Sequence, residues 1–199
     1  MNGEKTPEKI SSTPWEIEKS LDEDGKYWLK MIQRDQEGRI IAYREREFID
    51  PKNPEKGVKY DYEKSFTYNQ NGELIKEKGK DYLKGNQWEK EFSWQEGKMI
   101  SEHGLIVEGP DKGHEWQITF RRDEQGNVLE EEGEILEQGV NPQKPERGHS
   151  WRKEHLYDEK GNWRGAIGII TGGKEKGKIW TEGSVTEGEI EKFLAKERK

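Results

Sequence analysis

The side chains that could do chemistry in this 199-residue chain are carboxylates, histidines and aromatic rings. Cysteine is absent, so disulfides, thiolate metal sites and cysteine nucleophiles are excluded. Asp and Glu number 42, nearly all in polar segments. Acid–base catalysis needs two such groups set apart from the rest with tuned pKa values. No pair stands out in this way, and no nucleophile-elbow, zincin, P-loop or dinucleotide fingerprint occurs. Gly168-Ile-Ile-Thr-Gly-Gly173 is glycine-rich, but it lies in an apolar, strand-like run. It reads as a bulge or a tight strand contact. The histidines are His103, His114, His149 and His155. A zinc site needs about four converging ligands, whereas His114 and His149 recur at one place in successive repeats and are expected to cap a turn or flank an aromatic. No catalytic residue, metal ligand or cofactor is therefore expected, and the chain does not read as an enzyme.

That leaves the aromatics. The chain has 8 Trp, 7 Tyr and 5 Phe, with 23 Gly. A glycine precedes an aromatic by three residues at Gly57-Val-Lys-Tyr60, Gly85-Asn-Gln-Trp88, Gly113-His-Glu-Trp116, Gly148-His-Ser-Trp151 and Gly177-Lys-Ile-Trp180. The spacings between these glycines are 28, 28, 35 and 29 residues. Looser copies around Gly25 and Gly38 bring in Trp28. A period of this length marks a repeat architecture.

Within each copy the pattern alternates with period two, as in a strand. Tyr60, Tyr62, Phe66 and Tyr68 share one face, interrupted by Lys64. Trp88, Phe92 and Trp94 share a face in the next copy, then Trp116, Ile118 and Phe120. Trp151 and Tyr157 do so in the following one, with Trp163 just beyond and Trp180 in the last. Turns rich in Asn, Asp and Gly close the outgoing segments at Asn69-Gln-Asn-Gly72, Gln95-Glu-Gly97, Asp123-Glu-Gln-Gly126 and Asp158-Glu-Lys-Gly161. Weakly apolar return segments follow, often closed by Gly79, Gly104, Gly133 or Gly168. The expected fold is all-β: an extended, twisted antiparallel meander of hairpin repeats of about 28 residues. The alternative is a sheet that coils or closes, with the aromatics as its core. Residues 14–186 read as this single domain, with repeats starting near 25, 57, 85, 113, 148 and 177, after a disordered tail at 1–13. Proline-bearing loops over 50–55 and 139–146 lengthen two repeats. Ile190, Phe193 and Leu194, with Thr186 and Glu189 as a capping box, predict a short helix within 187–199. Its expected role is to cover one end of the sheet.

Composition limits the partners. Leu, Ile, Val and Phe together make up just under a fifth of the chain, and the net charge is -7. Such numbers disfavour a thick core, and a membrane span needs about 18 consecutive apolar residues. Nucleic acid is not expected, because basic residues alternate with acidic ones and no positive groove forms. No secretory or transit segment is visible, so compartment is left unassigned for what reads as a soluble chain. An aromatic row beside dense polar groups suits a neutral, hydroxyl-rich polymer, with rings against sugar C–H faces and several weak contacts acting together. The candidate ligand-binding residues are Trp28, Tyr60, Tyr62, Phe66, Trp88, Phe92, Trp94, Trp116, Phe120, Trp151, Tyr157, Trp163 and Trp180. The competing partner is a protein: the same face would serve an interaction scaffold, or pack against a second copy as a homodimer.

Two segments carry a family resemblance. Gly85-Asn-Gln-Trp88-Glu-Lys-Glu-Phe92-Ser-Trp94-Gln-Glu-Gly97 and Trp151-Arg-Lys-Glu-His155-Leu-Tyr157-Asp-Glu-Lys-Gly161-Asn-Trp163 resemble the tryptophan-rich repeats of the plant and algal early-starvation proteins, which associate with starch granules. The resemblance covers residues 57–183, and more loosely from 15. It implies an extended antiparallel sheet whose aromatic lines bind α-glucan without catalysis. In that family a second Trp is usual where this chain has Phe92, Phe120 or His155. The Gly-x-x-Trp hairpins are also similar to variant MORN-like repeats, which implies an interaction or scaffold role.

Overall fold

The computed structural model describes residues 14–21, 27–50 and 57–197. The tail expected at 1–13, the turn leading to Gly25, residues 51–56 of the first proline-bearing loop and the last two residues lie outside the described residues. The strands are β1 (Glu16–Leu21), β2 (Tyr27–Arg34), β3 (Ile40–Phe48), β4 (Val58–Tyr68), β5 (Leu74–Asp81) and β6 (Gln87–Gln95). They continue as β7 (Lys98–Glu108), β8 (His114–Arg122), β9 (Val128–Gln138), β10 (Ser150–Tyr157), β11 (Trp163–Gly172) and β12 (Ile179–Gly183). One helix, α1 (Glu187–Glu197), follows. The twelve strands form a single sheet in sequence order, each antiparallel to the next. Among the described residues β1 pairs only with β2 and β12 only with β11, so the sheet stays open. The expected all-β meander with a short C-terminal helix is the observed fold, and the closed-sheet alternative is not.

The two rims of the sheet differ. On one rim, Asp35, Asn69, Asp123 and Asp158 each open a tight turn. Their side-chain Oδ1 accepts the backbone N–H four residues on: Arg39 at 2.9 Å, Glu73 at 3.0 Å, Asn127 at 2.8 Å and Asn162 at 2.8 Å. The fourth turn residue must take φ > 0 and is glycine each time, with Gly72 at φ 80° and Gly161 at φ 80°. The fifth such connection is a two-residue hairpin in which Glu96 and Gly97 have φ 51° and 72°. Both central residues of a type I′ turn need positive φ. The other rim carries longer loops tied to one another. Asn86 Nδ2 donates to Asp111 Oδ2 at 2.7 Å, Asp111 N returns a bond to Asn86 Oδ1 at 3.0 Å, and Asn141 Nδ2 donates to Asp111 Oδ1. Three successive loops are thereby joined through one buried carboxylate.

Cross-strand partners share a face, so the register defines two faces for the whole sheet. One face carries Trp88, Trp116, Trp151 and Trp180, with the buried Ile106, Ile135 and Ile170. The opposite face is charged. There Asp61 is buried at 5% exposure and is gripped by Arg44 (3.1 Å) and Arg46. Burial alone would raise its carboxyl pKa, but the hydrogen bonds from Arg44 and Arg46 outweigh it and hold it below the usual carboxylate range.

α1 packs on this opposite face, against β10 and β11. Phe193 is 2% exposed and Ile167 on β11 is 1% exposed. Arg152 lies over the Phe193 ring at 5.9 Å and pairs with Glu197, Lys196 reaches Glu154 at 2.8 Å, and Arg164 pairs with Glu189. Thr186 N donates to Glu189 Oε2 at 2.8 Å, as the capping signature requires. With Arg164 as the main cause and Thr186 the next, the Glu189 carboxyl is held down at about 2. The helix therefore covers part of a face, whereas the sequence suggested an end of the sheet.

Candidate binding face

The indoles sit where they do because a glycine lies opposite each one. Gly79 pairs with Trp88, Gly104 with Trp116, Gly133 with Trp151 and Gly168 with Trp180. A Cβ added at these glycines would stand 2.0, 2.2, 2.0 and 2.2 Å from the indole Cζ2, inside the ring's own volume. Each ring therefore lies over a bare stretch of backbone on the preceding strand. Glycine in a strand is otherwise destabilising, and an aromatic neighbour that covers it offsets the loss.

The indole N–H is fixed by a glutamate two residues before that glycine. Trp88 donates to Glu77 at 2.9 Å, Trp116 to Glu102 at 3.1 Å and Trp151 to Glu131 at 3.1 Å. In the fourth unit Ala166 stands at the glutamate's place, and Trp180 turns instead to Glu182 at 3.2 Å. Lysines complete the units. Lys64 meets Glu77 at 3.3 Å and Lys90 meets Glu102 at 2.8 Å, each reaching forward to the next strand. Lys153 faces the strand with Ala166 and reaches back to Glu131 at 3.1 Å. On the other side of the first three indoles sits an isoleucine: Ile106, Ile135 and Ile170, paired with Trp88, Trp116 and Trp151 and exposed by only 8%, 4% and 9%. His114 and His149 flank the next ring in line, with centroids 5.8 Å from Trp116 and 6.4 Å from Trp151. His114 is buried, and desolvation lowers its pKa against the opposing bond to the Gln138 carbonyl.

These four tryptophans stand on β6, β8, β10 and β12 in matching register. Each is offset by two residues along the strand from the one before, since Ile106 faces Trp88 and Gly104 faces Trp116; with strands about 4.8 Å apart and about 3.4 Å per residue, the ladder runs obliquely with a pitch of roughly 12 Å. A shallow groove of about 260 Å³ lies between Trp88 and Trp116, bordered by Lys64, Lys84, Asn86, Asp111 and Lys144. A second, of about 380 Å³, lies between Trp151 and Trp180, with His149, Ile170, Glu175 and Lys178.

The other expected site residues divide into two groups. Phe66, Phe92 and Phe120 lie half-buried on the indole face, four residues beyond Tyr62, Trp88 and Trp116. Trp94 and Tyr157 end their strands and are tied to main chain: Trp94 N–H to the Leu74 carbonyl at 2.7 Å and Tyr157 O–H to the Val128 carbonyl at 2.9 Å. Tyr68 and Arg122 make the equivalent bonds to Ile40 and Met99. Trp28 on β2 is half-buried with Lys30 over its ring at 4.5 Å. Trp163 is 49% exposed.

The unit at β3 and β4 departs from the rest. The repeat spacing put Tyr60 at the first-aromatic position, but the register puts Tyr62 there: Tyr62 pairs with Asp81 as Trp88 pairs with Ile106. Its partner on the preceding strand is Glu45, where the other units have glycine. Glu45 accepts both phenols, from Tyr60 at 2.7 Å and Tyr62 at 2.8 Å. Burial, then the bond to Glu45, pushes both phenol pKa values above their ordinary range.

Sequence reasoning found the rings but missed their supports, Gly79, Gly104, Gly133 and Gly168 with Glu77, Glu102 and Glu131. A recurring Glu-x-Gly in three return segments was the available signal. Among the described residues no group of three or more His, Asp and Glu is placed to hold a metal ion. No protein-family model matches the chain, and no curated protein is matched by its sequence.

Proposed function

We propose that the chain is a non-catalytic binding protein that takes an α-glucan along its indole face. The observation that supports this is the ladder of Trp88, Trp116, Trp151 and Trp180 on an open, single-layer sheet. Glycine closes one side of each ring, and glutamate takes up the N–H. The remaining ring surface is then suited to stacking on sugar C–H faces, with lysine and amide groups in the grooves for hydroxyls. Weak single contacts at a fixed pitch add through effective concentration. A scaffold role is the second reading, favoured by exposed Ile49, Leu83 and Val140 on loops of one rim.

Affinity electrophoresis through gels containing soluble α-glucan tests the proposal. Migration should be retarded, and the retardation should weaken in Trp116→Phe and Trp151→Phe, which keep a ring over glycine while reducing its area. Unretarded migration of the folded wild type, or equal retardation of the folded Phe variants, would remove the glucan reading.

A further inference from the structure

His155 occupies the place that phenylalanine fills in three other outgoing strands, at Phe66, Phe92 and Phe120. Its side chain is 15% exposed. Nδ1 lies 3.2 Å from Nε1 of Trp163, which has only a donor to offer. Nδ1 must therefore be the bare acceptor nitrogen, and the neutral ring carries its proton on Nε2. Nε2 is buried without a hydrogen-bond partner among the described residues. Oε2 of Glu131 is 3.8 Å away, beyond hydrogen-bond reach, and already receives Lys153 at 3.1 Å.

We infer that His155 is an acid-sensitive latch that holds Trp163 on the indole face at neutral pH and lets it go when the imidazole takes a proton. Protonation fills Nδ1, so two N–H donors then confront each other and the bond to Trp163 is lost. The new charge is drawn instead toward Glu131. The charged groups facing the ring are Glu131 from β9, Lys153 from its own strand and Glu182 from β12, while β11 presents Ala166 as its cross-strand partner and Trp163 at its start. Burial first, and Lys153 next, lower the imidazole pKa against the two glutamates. The latch therefore opens on the acid side of the ordinary histidine value of about 6.5. His155 is a positioning residue for Trp163, and this role does not depend on which ligand the face takes.

The test is nuclear magnetic resonance on the full chain from pH 7.5 to pH 5. Its eight tryptophans give eight indole N–H signals, and Trp163→Phe identifies the one in question. At pH 7.5 the His155 nitrogens should show the Nε2–H tautomer. On acidification the Trp163 signal should move to the position of a free indole, with a midpoint below about 6.5. His155→Gln, whose amide oxygen accepts without titrating, should hold that signal fixed, and His155→Phe should give a free indole at every pH. An Nδ1–H tautomer at pH 7.5, a Trp163 signal that does not move in the folded wild type, or an unchanged transition in His155→Gln would each overturn the inference.

Discussion

Between β7 and β8 a glycine, Gly104, leaves its space to the Trp116 ring. Between β3 and β4 a glutamate, Glu45, fills the corresponding space and Tyr62 stands in place of the indole. Both arrangements cover the same patch of sheet. In the first, ring area does most of the work and one hydrogen bond orients it. In the second, less apolar area is covered, and one carboxylate organises two phenols. The difference shows that the ring and its cross-strand partner form one unit: a wide ring needs a bare partner, whereas a partner with a carboxylate takes a ring that carries a hydroxyl.

The strongest way to break this comparison is to add a methyl group where an indole lies. Gly104→Ala places a Cβ at 2.2 Å from Trp116 Cζ2, so the ring must lift and uncover Ile135, its partner on the other side. The expected loss is about 3 kcal/mol, at the low end for losing a packed aromatic because this ring is half-buried. In a chain of this size that lowers the midpoint of thermal unfolding by roughly 6–12 °C. Glu45→Ala removes no such packing and should cost about 1.5–2 kcal/mol, the low end for hydrogen bonds to a charged acceptor because the groups are only half-buried. Urea unfolding of the two variants compares them directly. If Gly104→Ala proves no more costly than Glu45→Ala, the glycine is not the bed of the ring.

The second test converts one kind of unit into the other. Glu45→Gly alone bares backbone and orphans two phenols, and Tyr62→Trp alone drives a wide ring against Glu45. Together they rebuild the glycine–indole pair. A double-mutant cycle should therefore show a favourable coupling of about 1–2 kcal/mol. Additive losses would mean that the two positions do not act as a unit.

The third is smaller. Glu102 accepts the Trp116 N–H and pairs with Lys90. Glu102→Gln keeps an acceptor for the indole and loses only the ion pair, which should cost under about 1 kcal/mol. Glu102→Ala also leaves a half-buried N–H without its partner and should cost about 1 kcal/mol more. Equal losses in the two variants would assign the role of Glu102 to its charge and not to the indole.

The sequence was informative where interactions are local. The alternation in Trp88, Phe92 and Trp94 gave a strand, Asn69 to Gly72 gave a turn, and Thr186 with Glu189 gave a helix start, because each is decided within a few residues. The bed of each ring was hidden, because Gly104 and Trp116 meet only through pairing between β7 and β8. The loops between these partners also differ in length: Gly79 precedes Trp88 by 9 residues and Gly133 precedes Trp151 by 18, so no fixed spacing marks the contact. The place of Tyr62 was missed for the same reason, since β4 is 11 residues long where β6 has 9, and counting from the leading glycine lands on Tyr60. The scarcity of aliphatic residues suggested that nothing could cover the aromatics. In the structure the rings themselves form the covering layer, helped by one isoleucine in each of the first three indole units.

The last test separates the two kinds of unit by their behaviour in alkali. Tyr60 and Tyr62 have phenol pKa values raised by burial and by Glu45, so the folded state favours their neutral forms. A raised pKa adds stability that is complete below the unfolded tyrosine value of about 10 and is lost as pH rises through the folded one. The indole N–H of the glycine-centred units does not titrate, and the lysines beside it do not absorb at 295 nm. Absorbance at 295 nm should therefore show a late-ionising component in the folded chain that shrinks in Tyr60→Phe and again in the double variant with Tyr62→Phe. Tyr68 and Tyr82, also raised, should keep their share of it. A late component of unchanged size in the double variant would show that Glu45 does not hold the two phenols, and the contrast between carboxylate-centred and glycine-centred units would then rest on packing alone.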